Sequence, residues 1–289
     1  MGNVDFHIAP GVILRISRLA GELIATRPDS PAALDDKQSF TLRIHSARIA
    51  IDTASLSTLL NRHVFGYPGS PLRNLKVRTE GEELIQTGSM RGVSFHMRAA
   101  LTLTPEGQIR IHPTKVKVIG VNVRGLMKFF GVSLEGLMKL RPGYGARIEK
   151  DDFILDPTGI LPPPRIHGRL TALRIEPGGI AQTFGGSDSA APLHRPDSAA
   201  ANYMYFRGGA LRFGKLTMTD TDLEILDDDP SDPFDFSLDE YNAQLVAGYN
   251  KNTEVHGLIV HMPDFRTLRS GKVNLAPPTT GGAPTRKRN

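Results

Sequence analysis

Cysteine and tryptophan are both absent from this 289-residue chain. Without cysteine there is no disulfide framework, no thiolate metal site and no cysteine nucleophile. The sequence also lacks any run approaching the roughly 18 apolar residues that a membrane-crossing helix needs. Aromatics are sparse, with Phe supplying 13 residues. No Gly-x-Ser-x-Gly elbow, phosphate-cradling glycine loop or His-Glu-x-x-His occurs, so the common hydrolase, nucleotide and zinc-protease signatures are missing. The start, "MGNVDFHIAPG", lacks the basic-then-apolar pattern of a signal segment. That predicts either a cytosolic protein or a mature form whose leader has been removed.

The 29 Gly and 21 Pro, beside 39% apolar residues, suit a protein of strands and turns. The net charge of +5 comes from dispersed Arg and from the end "TRKRN", not from one stripe with stacking aromatics. Nucleic acid is therefore not the expected partner. Attraction to an anionic membrane surface is compatible with this charge.

Alternation of apolar and polar residues predicts strands over Val12–Leu19 and over "FTLRIHSARIAID". A short helix follows, capped by Asp52 or Thr53, with Leu56, Leu59, Leu60, Val64 and Phe65 at helical spacing. Next comes a meander from "LKVRTE" to "KVKVIG". The stretch "RGLMKFFGVSLEGLMKL", Arg124 to Leu140, repeats Gly-Leu-Met-Lys after eleven residues. Eleven steps of about 100° make roughly three turns, so both copies share one helical face. Leu126, Met127, Phe129, Phe130, Leu134, Leu137, Met138 and Leu140 cover about half of that wheel. Three roles fit such a face: ordinary core, a membrane-surface helix aided by Lys128, Lys139 and Arg141, or the wall of an apolar cavity. Flexible Met and large Phe, which adapt to a mobile ligand, raise the third.

"TFGGSDSAAPLHRPDSAAAN" reads as a linker, and strands return beyond it. The expected division is 1–184, a linker over 185–201, a C-terminal β segment over 202–270 able to extend the same sheet, and a disordered tail over 271–289. His256 and His261 stand five apart, which on a strand puts them on opposite faces. His45, His96, His112 and His167 occupy the polar positions of alternating strands. The acidic stretch Asp220, Asp222, Asp227, Asp228, Asp229, Asp232 and Asp235 raises the question of a calcium loop. From Asp227, however, the sixth and twelfth positions hold Asp232 and Leu238 where an EF-hand needs Gly and Glu. A solvated strand-end turn is the expectation.

The order of elements resembles the tubular lipid-binding (TULIP) superfamily, and within it the bacterial LmeA-type phospholipid-binding family. "IAIDTASLSTLLNRHV", the meander, "LMKFFGVSLEGLMKL" and "ILPPPRIHGRLTALRIEPGGIAQTFG" carry the likeness, over about Ile44 to Gly185. The resemblance implies an α+β, mostly antiparallel fold. A highly curved sheet would wrap around a long amphipathic helix and a shorter one, with extra β segments at both ends. It implies a non-enzymatic lipid-binding or lipid-transfer protein without cofactor or metal, set in the periplasm or envelope, with the cytoplasm as the other option. The implied ligand is phospholipid or another acyl lipid, with peripheral contact to an anionic membrane. The implied groove residues are Leu56, Leu59, Leu60, Leu126, Met127, Phe130, Leu134, Leu137 and Met138. The rival is a ligand-free structural β protein of an envelope assembly with a filled core.

Overall fold

Strands make up 54% and helices 10% of the computed structural model, which describes residues 1–119, 140–185, 193–253 and 257–270. The chain opens with β1 (Gly2–Ala9), β2 (Val12–Ala25), the short β3 (Ala32–Ala33) and β4 (Phe40–Asp52). Helix α1 (Thr53–Leu59) continues as a π-helical turn over Leu60–Val64. A meander follows: β5 (Leu72–Glu80), β6 (Glu83–Met90), β7 (Val93–Leu103) and β8 (Ile109–Ile119). Then come β9 (Ala146–Glu149), β10 (Asp152–Leu155), β11 (Arg165–His167), β12 (Leu170–Glu176) and β13 (Gly179–Phe184). The last part holds β14 (Tyr203–Arg207), β15 (Leu211–Phe213), β16 (Leu216–Met218), β17 (Asp222–Asp227) and β18 (Phe234–Ser237). It ends with α2 (Tyr241–Ala247), β19 (Tyr249–Asn252), β20 (Leu258–Met262) and α3 (Phe265–Arg269).

Two large sheets share one core. The larger runs β12-β13-β4-β2-β1-β14-β17-β20-β19, with β11 added to β4 and β18 added to β1, both in parallel. The second runs β5-β6-β7-β8-β10-β9, and a small third sheet is β16-β15-β3. Local chemistry explains the meander. The β6–β7 turn needs two left-handed residues, and Arg91 (φ 49°) with Gly92 (φ 84°) supplies them. Strands after residue 202 do not stand apart, because β14 and β18 both pair with β1.

Helix α1 starts where sequence chemistry places it. The Ser55 backbone N–H donates to the Asp52 carboxylate at 2.7 Å, a side-chain N-cap. Leu56, Leu59, Leu60, Val64 and Phe65 are all buried. The opposite side of the helix closes the free edge of β5. There the Leu75 N–H donates to Asn61 Oδ1 at 2.9 Å and Asn61 Nδ2 donates to Leu75 O at 2.7 Å. The Val77 N–H donates to Ser57 Oγ at 2.9 Å. An edge that would otherwise template a further strand is thus satisfied by side chains.

The expected α+β architecture, a curved sheet wrapped around a long helix, is corrected. Among the described residues the fold is mostly β, with three short helices, the longest 12 residues. The stretch expected to form the long helix lies outside the described residues, save Leu140. The described core is built instead by sheet against sheet. Leu14, Ile16, Ile49 and Ile51 on one side meet Leu84, Ile109 and Ile111 on the other, and α1 closes the space between.

One cross-strand pair works against stability. Arg18 on β2 lies directly opposite Arg48 on β4, and neither meets a carboxylate among the described residues. Like charges in this register repel by a few tenths of a kcal/mol. Arg18→Glu should therefore raise stability by about 0.5 kcal/mol. Urea unfolding would show this, and reversing both residues together should remove the gain.

Candidate ligand cavity

Alternation along the strands turns one apolar row of each sheet inward. Leu14, Ile16 and Leu19 of β2 and Leu42, Ile44, Ile49 and Ile51 of β4 face Leu84, Leu101, Ile109 and Ile111 of the second sheet. Leu56 and Leu59 of α1, with Leu60 of the π-helical turn that follows, close one side. Together they enclose a cavity of about 80 Å³. A second lobe of about 50 Å³ adjoins it and shares Leu60, Gln86, Ile111 and Leu155 with the first. Phe65, Met90, Phe95, Met97 and Phe153 line that lobe, and Val116, half exposed, stands on its rim.

The polar inventory of both lobes is short. Among the described residues no charged side chain lines either one, and the polar side chains are Gln86, Gln182 and Thr158. The Thr158 hydroxyl is engaged, donating to Asp156 Oδ1 at 2.8 Å. Such a wall is apolar at all but three of its described lining residues. It can take apolar matter out of water.

Of the nine expected groove residues, Leu56, Leu59 and Leu60 line the cavity. Leu126, Met127, Phe130, Leu134, Leu137 and Met138 lie outside the described residues. The lining from β2, β4, β6, β8 and β10 was not anticipated as a ligand wall. Its signal was present as period-two alternation, which marks inward positions without distinguishing a hollow interior from a filled one.

The acidic stretch is corrected in part. Asp227 and Asp235, expected in a solvated turn, are buried, while Asp220 is exposed. Asp235 accepts hydrogen bonds from the Arg266 backbone N–H (2.9 Å) and Arg266 Nε (2.7 Å), and it pairs with His7 Nε2. Burial disfavours the Asp235 carboxylate, yet the bonds from His7 and Arg266 outweigh it and hold its pKa below the usual range. Asp227 accepts from the Asp229 N–H at 3.0 Å and from Asn202 Nδ2 at 3.1 Å. Burial, with the Asp264 charge nearby, pushes it up to about 7. Asp264 accepts the Asp235 N–H at 2.8 Å and is pushed up to about 6 by burial and the neighbouring Asp232 and Asp235. These oxygens answer protein donors. Among the described residues no group of three or more His, Asp or Glu is disposed to hold a metal ion.

No protein-family model matches this chain, and no curated protein or solved structure matches it. No helix among the described residues is long and apolar enough to cross a membrane.

Proposed function

We propose that this protein is a non-enzymatic binder of acyl chains, holding the apolar part of a lipid between its two sheets. The observation that carries this reading is the two-lobed interior cavity whose walls, among the described residues, are apolar apart from three uncharged polar side chains. An apolar cavity of 80 Å³ left without atoms costs about 2 kcal/mol of stability at some 24 cal/mol per Å³. A bound chain recovers that loss and adds roughly 0.8 kcal/mol for each methylene removed from water. The lipid-carrier role implied by the TULIP resemblance is the role this cavity supports, with a wall made by sheet against sheet.

Ile111, which lines both lobes, offers the test. Native mass spectrometry and solvent extraction of the purified protein should find an acyl lipid, or show uptake of one when phospholipid is offered. Ile111→Trp, which fills the junction, should abolish that signal while the protein still unfolds cooperatively. A wild-type protein that neither carries nor takes up any acyl compound would sink the reading and leave the structural β protein in its place.

A further inference from the structure

Gln86 sits where the two lobes meet and lines both. It is 7% exposed. Its directly opposed cross-strand neighbours are Val77 on β5 and Met97 on β7, both buried and apolar. Its side-chain amide meets no protein hydrogen-bond partner among the described residues, and it is open to the cavity rather than sealed in packing, since Arg212 Nε is the one fully buried polar side-chain atom left without a partner among those residues. Another buried glutamine of this chain behaves oppositely. Gln244 accepts from the Ser237 N–H at 2.9 Å and donates to Asp235 O (3.0 Å) and Pro263 O (2.9 Å). An amide facing such a space must be answered by water or by a ligand to avoid a folding cost, whereas leucine at the same place needs no partner. Position 86 therefore carries a polar group that the fold does not use, aimed into an otherwise apolar space.

We propose that Gln86 is the polar anchor of the cavity's ligand, its Nε2–H2 donating to the neutral carbonyl oxygen of an acyl ester. This rests on the acyl-chain reading above and specifies the chemistry of the ligand. A free carboxylate fits less well. No cationic side chain lines either lobe among the described residues, and the amino group of Met1, which lines the first lobe, is already engaged in donating to Leu19 O at 2.8 Å, so an ionised head would lose its hydration for little compensation. An ester carbonyl loses little on leaving water and gains one directed hydrogen bond. The position of Gln86 between the lobes places the ester with apolar matter on both sides, as in an ester whose chain continues beyond the carbonyl.

The experiment uses the full chain and three ligands of similar length: methyl nonanoate, decane and nonanoate at pH 8. Affinities come from displacement of N-phenyl-1-naphthylamine. Gln86→Leu should weaken methyl nonanoate about 2- to 12-fold, the worth of one neutral hydrogen bond, and leave decane unchanged or tighter. Gln86→Met, closer in shape, should do the same and guards against a packing effect of the first variant. Wild type should bind nonanoate more weakly than its methyl ester. Equal effects of both variants on ester and alkane, or nonanoate binding as tightly as the ester, would overturn the anchor while leaving the acyl cavity standing. No binding of any of the three to wild type would overturn the acyl cavity together with the anchor.

Discussion

Asp235→Ala is expected to destabilise the protein by about 3 kcal/mol, near the lower end of the cost of breaking a buried ion pair. Asp235 is 1% exposed and joins three elements. It takes the His7 ring from β1 and both the backbone N–H and Nε of Arg266 at the start of α3. Arg266 reaches on to Asp5 of β1 at 3.0 Å. Without the carboxylate, the Arg266 N–H and the largely buried His7 ring lose their acceptor. The cost stays below the upper limit for a buried pair because the Arg266 side chain is 58% exposed and can turn to water. The loss falls where the C-terminal strands meet the first strand. Phe234 and Phe236 flank Asp235 at 0% exposure, and Phe236 stacks on Phe6 and Tyr241 at 5.7 and 6.3 Å between ring centroids. Urea unfolding should show the lower midpoint, and trypsin should cut after Arg266 or Arg269 sooner than in wild type. A variant with the wild-type midpoint and cleavage rate would show that Asp235 does not hold this junction.

The contribution of Asp227 and Asp264 to stability should fall as pH rises from 5 to 8. Asp227 at about 7 and Asp264 at about 6 hold their protons more tightly in the folded chain than an unfolded Asp does at about 3.9. The folded state therefore binds more protons across this window, so their contribution is fully present below about pH 4. It is lost as pH climbs through 6 and 7. A shift of this size is worth on the order of 2–4 kcal/mol for Asp227. Asp235 acts in the opposite direction. Its depressed pKa contributes stability that is present above the ordinary Asp value and is lost on acidification below it. Asp227→Asn should gain more stability over wild type at pH 8 than at pH 5, and flatten the slope between. Urea midpoints at those pH values check this, and a slope unchanged in Asp227→Asn would remove Asp227 as its source.

Much of the local structure was legible in the sequence. The 3.6-residue spacing of Leu56, Leu59, Leu60, Val64 and Phe65 behind an Asp52 cap describes α1 because both signals are local. Period-two alternation marked β2, β4, β7 and β8 for the same reason. The acidic stretch was misjudged because local composition cannot see a partner far along the chain. Asp235 finds His7 across 228 residues, and burial follows from that encounter.

By itself the sequence determined which residues alternate, where α1 begins, and that no cysteine chemistry operates here. Each of these depends on neighbours a few positions away. Only the tertiary structure decided that the two inward rows do not fill the space between their sheets, and that Gln86 faces that space with Val77 and Met97 as its strand neighbours. The volume between two sheets depends on how side chains from strands remote in sequence meet. Alternation specifies which way a residue points and carries no information about what it meets there.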